Sequence, residues 1–243
     1  MKVKLTISYD GTNYCGWQSQ PNGNGIQKEI ELAIEKLTGE KVVVTGSGRT
    51  DSGVHAEGQV ASFSIEKSAI PAKNYAKALN TVLPVDIRVV KSQKSKEDFD
   101  ARKSAKKKTY RYIFYKSQVE LPLKEKYQTQ LKESVNIEKI KECAKLLVGT
   151  NDFKCFCASG SGAKTTVRTI YEIKVKSTKN ELKIFVTGNG FLYKMVRTLV
   201  GTLIAYGEEK IGKKEIEEML KTGKKQKIRT MPAKGLCLVS VKY

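Results

Sequence analysis

The stretch "KVVVTGSGRTDSGVHAEGQVASFSI", residues 41–65, sets two apolar runs on either side of a series of glycines and small polar residues. "KVVVT" (41–45) and "QVASFSI" (59–65) run or alternate in β-branched and apolar residues, the pattern of strands. Between them Arg49, Asp51 and His55 fall within seven positions. Glycine adopts backbone angles that other residues resist, so a loop of this composition can bring its main chain close to a ligand. The spacing predicts a carboxylate, Asp51, on a pliable loop between two strands.

Outward from that loop, one order of periods occurs twice. In the first half "VKLTISY" (3–9) reads as strand and "GIQKEIELAIEKL" (25–37) as helix, with Ile26, Ile30, Ala33, Ile34 and Leu37 on one face. After the loop come helix "NYAKALNTV" (74–82) and strand "DIRVVKSQ" (86–93). The second half gives strand "KTYRYIFY" (108–115), helix "NIEKIKECAKLLVG" (136–149) and strands "VRTIYEIKV" (167–175) and "ELKIFVTG" (181–188). Helix "GFLYKMVRTLVGTLIAYG" (190–207), an extra helix "KKEIEEMLKTG" (213–223) and strand "GLCLVSVKY" (235–243) complete it. The expected fold is α+β: two ferredoxin-like βαββαβ halves joining into a mixed, mainly antiparallel sheet flanked by helices. The division is expected near "DFDARKSAKKK" (98–108), where apolar periodicity lapses. This gives halves 1–104, carrying the Asp51 loop, and 105–243, completing a cleft.

Lys and Arg number 45 against 25 Asp and Glu, a formal net charge of +20 over 243 residues. Such a surface suits a polyanion, a nucleic acid first and an anionic membrane second, although a Lys-rich solvated surface has the same composition. No run approaches the roughly 18 apolar residues of a membrane span, and the start lacks the apolar core of a signal peptide, so a cytoplasmic protein is expected. The five cysteines form no CxxC pair and the only histidine is His55, so neither a disulfide framework nor a metal site is indicated. "RKSAKKKTYRY" (102–112) interleaves cations with Tyr110 and Tyr112, as phosphate contacts and stacked bases would require, and equally as a solvated run entering a packed strand would. "TGKKQKIRT" (222–230) is a second basic segment open to both readings.

Six segments in one order carry a resemblance: "YDGTNYCGWQSQ" (9–20), "GRTDSGVHAEGQV" (48–60), "LNTVLPVDIRV" (79–89), "DFDARKSAKKKTYRY" (98–112), "GFLYKMVRTLVGTL" (190–203) and "MPAKGLCLVSVKY" (231–243). Together they resemble the tRNA pseudouridine synthase A family, from the first strand to the last residue. The sequence departs from the family pattern at Asn151, where histidine is frequent, and at Thr230 and Met231. The resemblance implies the pseudouridine synthase fold, and isomerisation of uridine to pseudouridine at positions 38–40 of the tRNA anticodon arm. That reaction has no net redox change and no leaving product, so it implies no cofactor. It also implies tRNA as partner, bound across a homodimer.

The same resemblance implies roles. Asp51 matches the catalytic aspartate, acting as nucleophile at the ribose C1′ or as base at C2′. Arg197 matches the arginine that pairs with it, and Tyr110 the tyrosine that stacks on the target uracil. Arg49 resembles a residue that contacts RNA and helps hold the target nucleotide out of the helix. Lys106, Lys107 and Arg111 are expected at phosphates, and His55 in a structural or RNA-contacting role. Taken alone, Asp51 reads as a turn former, Tyr110 as strand packing and Arg197 as an arginine reaching the surface from an apolar helix. A basic RNA-binding protein without activity explains the charge but not "GRTDSGVH", and a carboxylate-dependent glycosidase or nuclease lacks a second acid or a metal set.

Overall fold

The computed structural model describes residues 1–18, 23–131 and 134–243, so the last two residues of the 9–20 segment lie outside the described residues. The elements run β1 (Lys2–Tyr9), α1 (Ile26–Thr38), β2 (Thr45–Gly46), β3 (His55–Ser64), α2 (Tyr75–Leu79), β4 (Ile87–Lys94) and β5 (Lys107–Lys116). They continue with β6 (Thr129–Leu131), α3 (Ile137–Leu146), β7 (Gly149–Asp152), β8 (Val167–Ser177), β9 (Glu181–Gly188), α4 (Met195–Gly207), α5 (Lys213–Thr222) and β10 (Leu236–Lys242). Two compact units result, Met1–Lys106 with Cys237–Tyr243, and Lys107–Leu236. The last strand thus belongs with the first unit, because Cys237 and Leu238 pair in parallel with His55 and Ala56 of β3.

The sheet of the first unit runs β4-β1-β3, antiparallel throughout, as a βαββαβ half requires. The far edge of β3 is shared: β2 pairs at Ala61 and Ser62, and β10 at the other end. Alternation on β1 buries Val3, Leu5, Ile7 and Tyr9 on one face. Such side chains contribute about 1.5–3 kcal/mol each when removed from water. Ile26, Ile30, Ala33 and Ile34 of α1 are buried on its apolar stripe, and the helix stops at Gly39, which takes the left-handed conformation at φ 71°.

In the second unit β5, β9 and β8 form an antiparallel sheet, with β7 on the first residues of β8 and β6 parallel to β5. Helix α4 is buried almost all round, including Met195, Val196, Leu199, Val200 and Leu203. A Cβ at its Gly201 would stand 2.0 Å from the Arg229 carbonyl oxygen, so the absent side chain is what lets the 228–231 segment lie against the helix. Among the described residues no helix is long and apolar enough to cross a membrane.

Several expected boundaries differ, each for a local reason. Only Thr45 and Gly46 of the 41–46 stretch are strand. Val43 is 78 % exposed, and the Val44 N–H donates to Glu31 Oε1 at 2.9 Å, so a helix side chain replaces the ladder there. The 74–82 helix ends at Leu79, because the Asn80 amide side chain bonds both the N–H and the carbonyl of Val89 (2.8 and 3.0 Å). The long helix starts at Met195, since Lys194 before it takes φ 57° and interrupts the regular backbone. Strands β6 and β7 add to the expected elements; both are short and lack apolar alternation. Residues near 100 are tied down: Ala101 is buried, its N–H donates to Ser62 Oγ (3.2 Å), and its carbonyl accepts from the Tyr243 hydroxyl (2.8 Å).

Candidate active site

In the first unit the loop between β2 and β3 is held from both ends. Ser47 N–H donates to the Val60 carbonyl at 2.7 Å, and its hydroxyl donates to Gln59 Oε1 at 2.6 Å. The Gln59 amide nitrogen in turn donates to the Gly48 carbonyl at 2.9 Å. Gln59 is fully buried, so one side chain from β3 closes the loop on itself. At Thr50 the carbonyl accepts from Trp17 N–H (3.1 Å), and the hydroxyl lies 2.8 Å from the Tyr9 hydroxyl in a buried contact. This close approach needs Gly16: at φ 99°, a Cβ there would stand 2.4 Å from the Thr50 oxygen.

Beyond Thr50 the chain turns at once. Val54 N–H donates to the Asp51 carbonyl (3.1 Å), with Gly53 at the third turn position and φ 75°. Ser52 Oγ donates to the Tyr14 carbonyl at 3.1 Å. Asp51 therefore does form a turn, through its backbone, while the residue as a whole is half-buried; Arg49 is exposed and Thr50 between them is buried. The expectation of a pliable loop is corrected: the glycines serve close packing, and the loop is fastened to β1, β3 and the 14–17 segment.

His55 is the first residue of β3 rather than a loop residue, and it is buried. Its Nδ1 is 3.1 Å from the Gly11 N–H and 3.1 Å from Asp10 Oδ1. One nitrogen cannot serve both at once. Unprotonated, Nδ1 accepts from Gly11; protonated, it pairs with Asp10. Either way the ring fastens the 10–11 turn to β3. Trp17 is buried and tilted against Tyr9, with ring centroids 6.2 Å apart, so it braces this first loop.

The second unit carries Lys107, Tyr110, Arg111 and Arg197; Arg49, Asp51, His55 and Lys106 belong to the first. Tyr110 lies on β5 opposite Val186, is buried, and meets Phe191 edge-on with centroids 5.3 Å apart at 86°. On the same face of β5, the Tyr112 hydroxyl is 2.7 Å from Thr129 Oγ1 and donates to the Pro232 carbonyl at 2.8 Å. Burial raises that phenol well above its usual range. Arg197, in the first turn of α4, donates through Nε to the Met231 carbonyl at 2.6 Å, and Met231 N–H returns a bond to the Arg197 carbonyl at 3.2 Å. The departure at Met231 thus falls where the backbone, not the side chain, makes the contact. Lys106 and Lys107 are exposed, Lys107 with its ammonium 4.8 Å over the Tyr171 ring, and Arg111 is half-buried.

Sequence reasoning missed Tyr9, Ser47, Thr50 and Gln59. Tyr9 and Gln59 look like ordinary strand positions, and nothing in their spacing marks them as sharing the loop. Burial pushes the Cys155 thiol up to about 11 and the Cys143 thiol up to about 12, so these two stay protonated.

A family model described as tRNA pseudouridine synthase matches residues 5–102 and 143–243. The chain is 45 % identical over 242 residues to tRNA pseudouridine synthase A 2 of Clostridium perfringens, covering 99 % of each chain. It is 46 % identical over 242 residues to tRNA pseudouridine synthase A of Acetivibrio thermocellus, again covering 99 % of each. The corresponding protein of Clostridium botulinum is 43 % identical over the same length and coverage. The chain belongs to the tRNA pseudouridine synthase family, a family of isomerases.

Proposed function

We propose that this chain converts uridine to pseudouridine in tRNA, at positions 38–40 of the anticodon arm, with Asp51 as the reacting carboxylate. The observation that carries the reading is the Asp51 loop itself. Its carboxylate residue is half-buried beside the exposed Arg49, and the loop is fixed on both sides of it by bonds to Trp17, Tyr9 and Tyr14. In the reaction the N1–C1′ bond breaks, uracil turns, and a C5–C1′ bond forms; the C5 proton is lost and N1 gains one, so product and substrate are isomers. An ionised Asp51 attacks C1′ or removes the C2′ proton, and is regenerated at the end. A nucleotide taken out of its helix is what such a loop can reach.

Tyr110 is proposed to stack on the target uracil, and Arg197 to fill the arginine role that the family resemblance gives it. Arg49, His55, Lys106, Lys107 and Arg111 are proposed to serve RNA binding, the lysines through phosphates. The enzyme is proposed to act in the cytoplasm as a homodimer, because one chain of this size offers a short basic surface for both the elbow and the anticodon arm of a tRNA. Pseudouridine mapping in tRNA from cells lacking this protein tests the substrate assignment. The modification is expected to vanish at 38–40 and nowhere else in tRNA, and its persistence there would refute the reading. Light scattering tests the assembly: a strict monomer that modifies full-length tRNA at the normal rate would exclude the dimer.

A further inference from the structure

Beneath the Asp51 loop lies a set of polar side chains withdrawn from water: Gln59 is 0 % exposed, Ser47 0 %, Tyr9 4 % and Thr50 6 %. The bond from Ser47 Oγ to Gln59 Oε1 and the bond from Gln59 Nε2 to the Gly48 carbonyl fix which end of the amide is oxygen. The same amide oxygen accepts from the Val60 N–H at 3.2 Å. The Tyr9 hydroxyl stands 2.8 Å from Thr50 Oγ1, and either hydroxyl can be the donor. Burial holds the Tyr9 phenol far above its ordinary range, so it stays neutral throughout the pH range of the reaction and the pair always has a proton to share. Gln59 and Tyr9 thus hold the loop at Gly48 and at Thr50, the latter the residue preceding Asp51.

A phenylalanine and a valine would fill the volume of Tyr9 and Thr50 with no buried polar groups to satisfy. A buried hydrogen bond contributes little net stability, whereas leaving one partner unmet costs more. What the hydroxyls add is direction: with its carbonyl on Trp17 N–H and its side chain on Tyr9, Thr50 cannot rotate without breaking a buried bond. We infer that the buried Tyr9–Thr50 hydroxyl pair, with Gln59 closing the loop on the Gly48 side, is a positioning device that fixes the aim of the Asp51 carboxylate, an inference that rests on Asp51 being the reacting group.

The test compares Tyr9→Phe, Thr50→Val, Thr50→Ser and Asp51→Asn in the full-length protein. Three quantities are read: single-turnover tritium release from tRNA labelled at uracil C5 under saturating enzyme, affinity by gel shift, and the thermal midpoint. A displaced reacting group costs on the order of 10²-fold in rate, so Thr50→Val should be about 30- to 100-fold slow and Tyr9→Phe about 10-fold slow. Thr50→Ser keeps the hydroxyl and should return the rate to within about 3-fold of the parent, by the same reasoning. Affinity should hardly move, and the thermal midpoint should fall by only the few degrees that one unmet buried hydroxyl costs; a rate loss at saturating enzyme, well below that midpoint, separates positioning from a role in folding or RNA binding. A Thr50→Val enzyme at the parent rate would overturn the inference, as would a Thr50→Ser enzyme as slow as Thr50→Val. Should Thr50→Val fail to fold, Tyr9→Phe decides by itself, a parent-like rate again overturning the inference. Asp51→Asn separates the two levels: if it stays active, the reading of Asp51 fails and takes the inference with it. If it is inert while Thr50→Val is fast, only the positioning role fails.

Discussion

The Asp51 loop and the basic segments 102–111 and 221–229 solve opposite problems. Around Asp51 nearly every neighbouring group is spoken for: Ser47, Gly48, Thr50, Ser52 and Val54 all bond to β1, β3, the 14–17 segment or the turn itself. In the basic segments Arg102, Lys103, Lys106, Lys107, Lys221, Lys224, Lys225, Lys227 and Arg229 are all exposed. A carboxylate that reacts must be aimed within a fraction of an ångström, and the buried bonds and missing side chains of the Asp51 loop suit the role proposed for it. A phosphate backbone needs only charge at roughly the right place, and a long solvated lysine supplies it without first losing its rotamer freedom. Substitutions in the first region should therefore act on rate, and in the second on affinity and its salt dependence.

Short of removing the carboxylate itself, the largest effect is expected at Gly16. With φ at 99° and a would-be Cβ 2.4 Å from the Thr50 oxygen, Gly16→Ala must push the 50–51 backbone away. The single-turnover rate should fall by on the order of 10²-fold. If affinity fell instead and rate did not, the contrast between the two regions would collapse.

A smaller, structural effect is expected at Gly201, where a Cβ would meet the Arg229 carbonyl at 2.0 Å. Gly201→Ala overpacks the contact between α4 and the 228–231 segment and should destabilise the protein by about 1–3 kcal/mol. That is a drop of roughly 2–12 °C in thermal midpoint for a chain of this length. The same segment receives the Arg197 Nε bond, so rate should suffer along with stability. A variant as stable as the parent would mean that the segment simply moves aside.

The smallest effect is expected from Lys106→Ala with Lys107→Ala. Each phosphate left without its lysine should reduce the slope of log affinity against log salt by about 0.7–0.9. The double variant should flatten it by about 1.4–1.8, with a modest decrease of affinity at low salt. Titrations at several salt concentrations check this, and an unchanged slope would make these lysines a solvated face.

Much of the architecture was legible because it depends on side-chain periods. The apolar stripe of α1 and the alternation of β1 each state which face is buried, and both faces are where the pattern put them. That residues 41–44 are not strand was hidden, because a tertiary bond from Val44 to Glu31 outweighs local β propensity, and no pattern within 41–45 records it. For the site, "GRTDSGVH" drew attention to Asp51 through composition, but the composition suggested pliability. The fastening comes from Tyr9 and Gln59, distant from each other in sequence and ordinary in type, which only the folded strands bring beneath the loop.

The central claim is that Asp51 is a fixed reacting carboxylate and not merely a turn former or an RNA clamp. The most direct measurement is tritium release from uracil-labelled tRNA by Asp51→Asn, beside a gel-shift titration of the same preparation. The amide keeps the shape of the side chain but is neither a nucleophile nor a base, so release should fall below detection. Affinity should stay level or rise slightly, because a negative charge facing a polyanion has been removed. Tritium release near the parent rate would reduce Asp51 to a turn residue, and joint loss of binding and release would make the loop a clamp with the chemistry elsewhere.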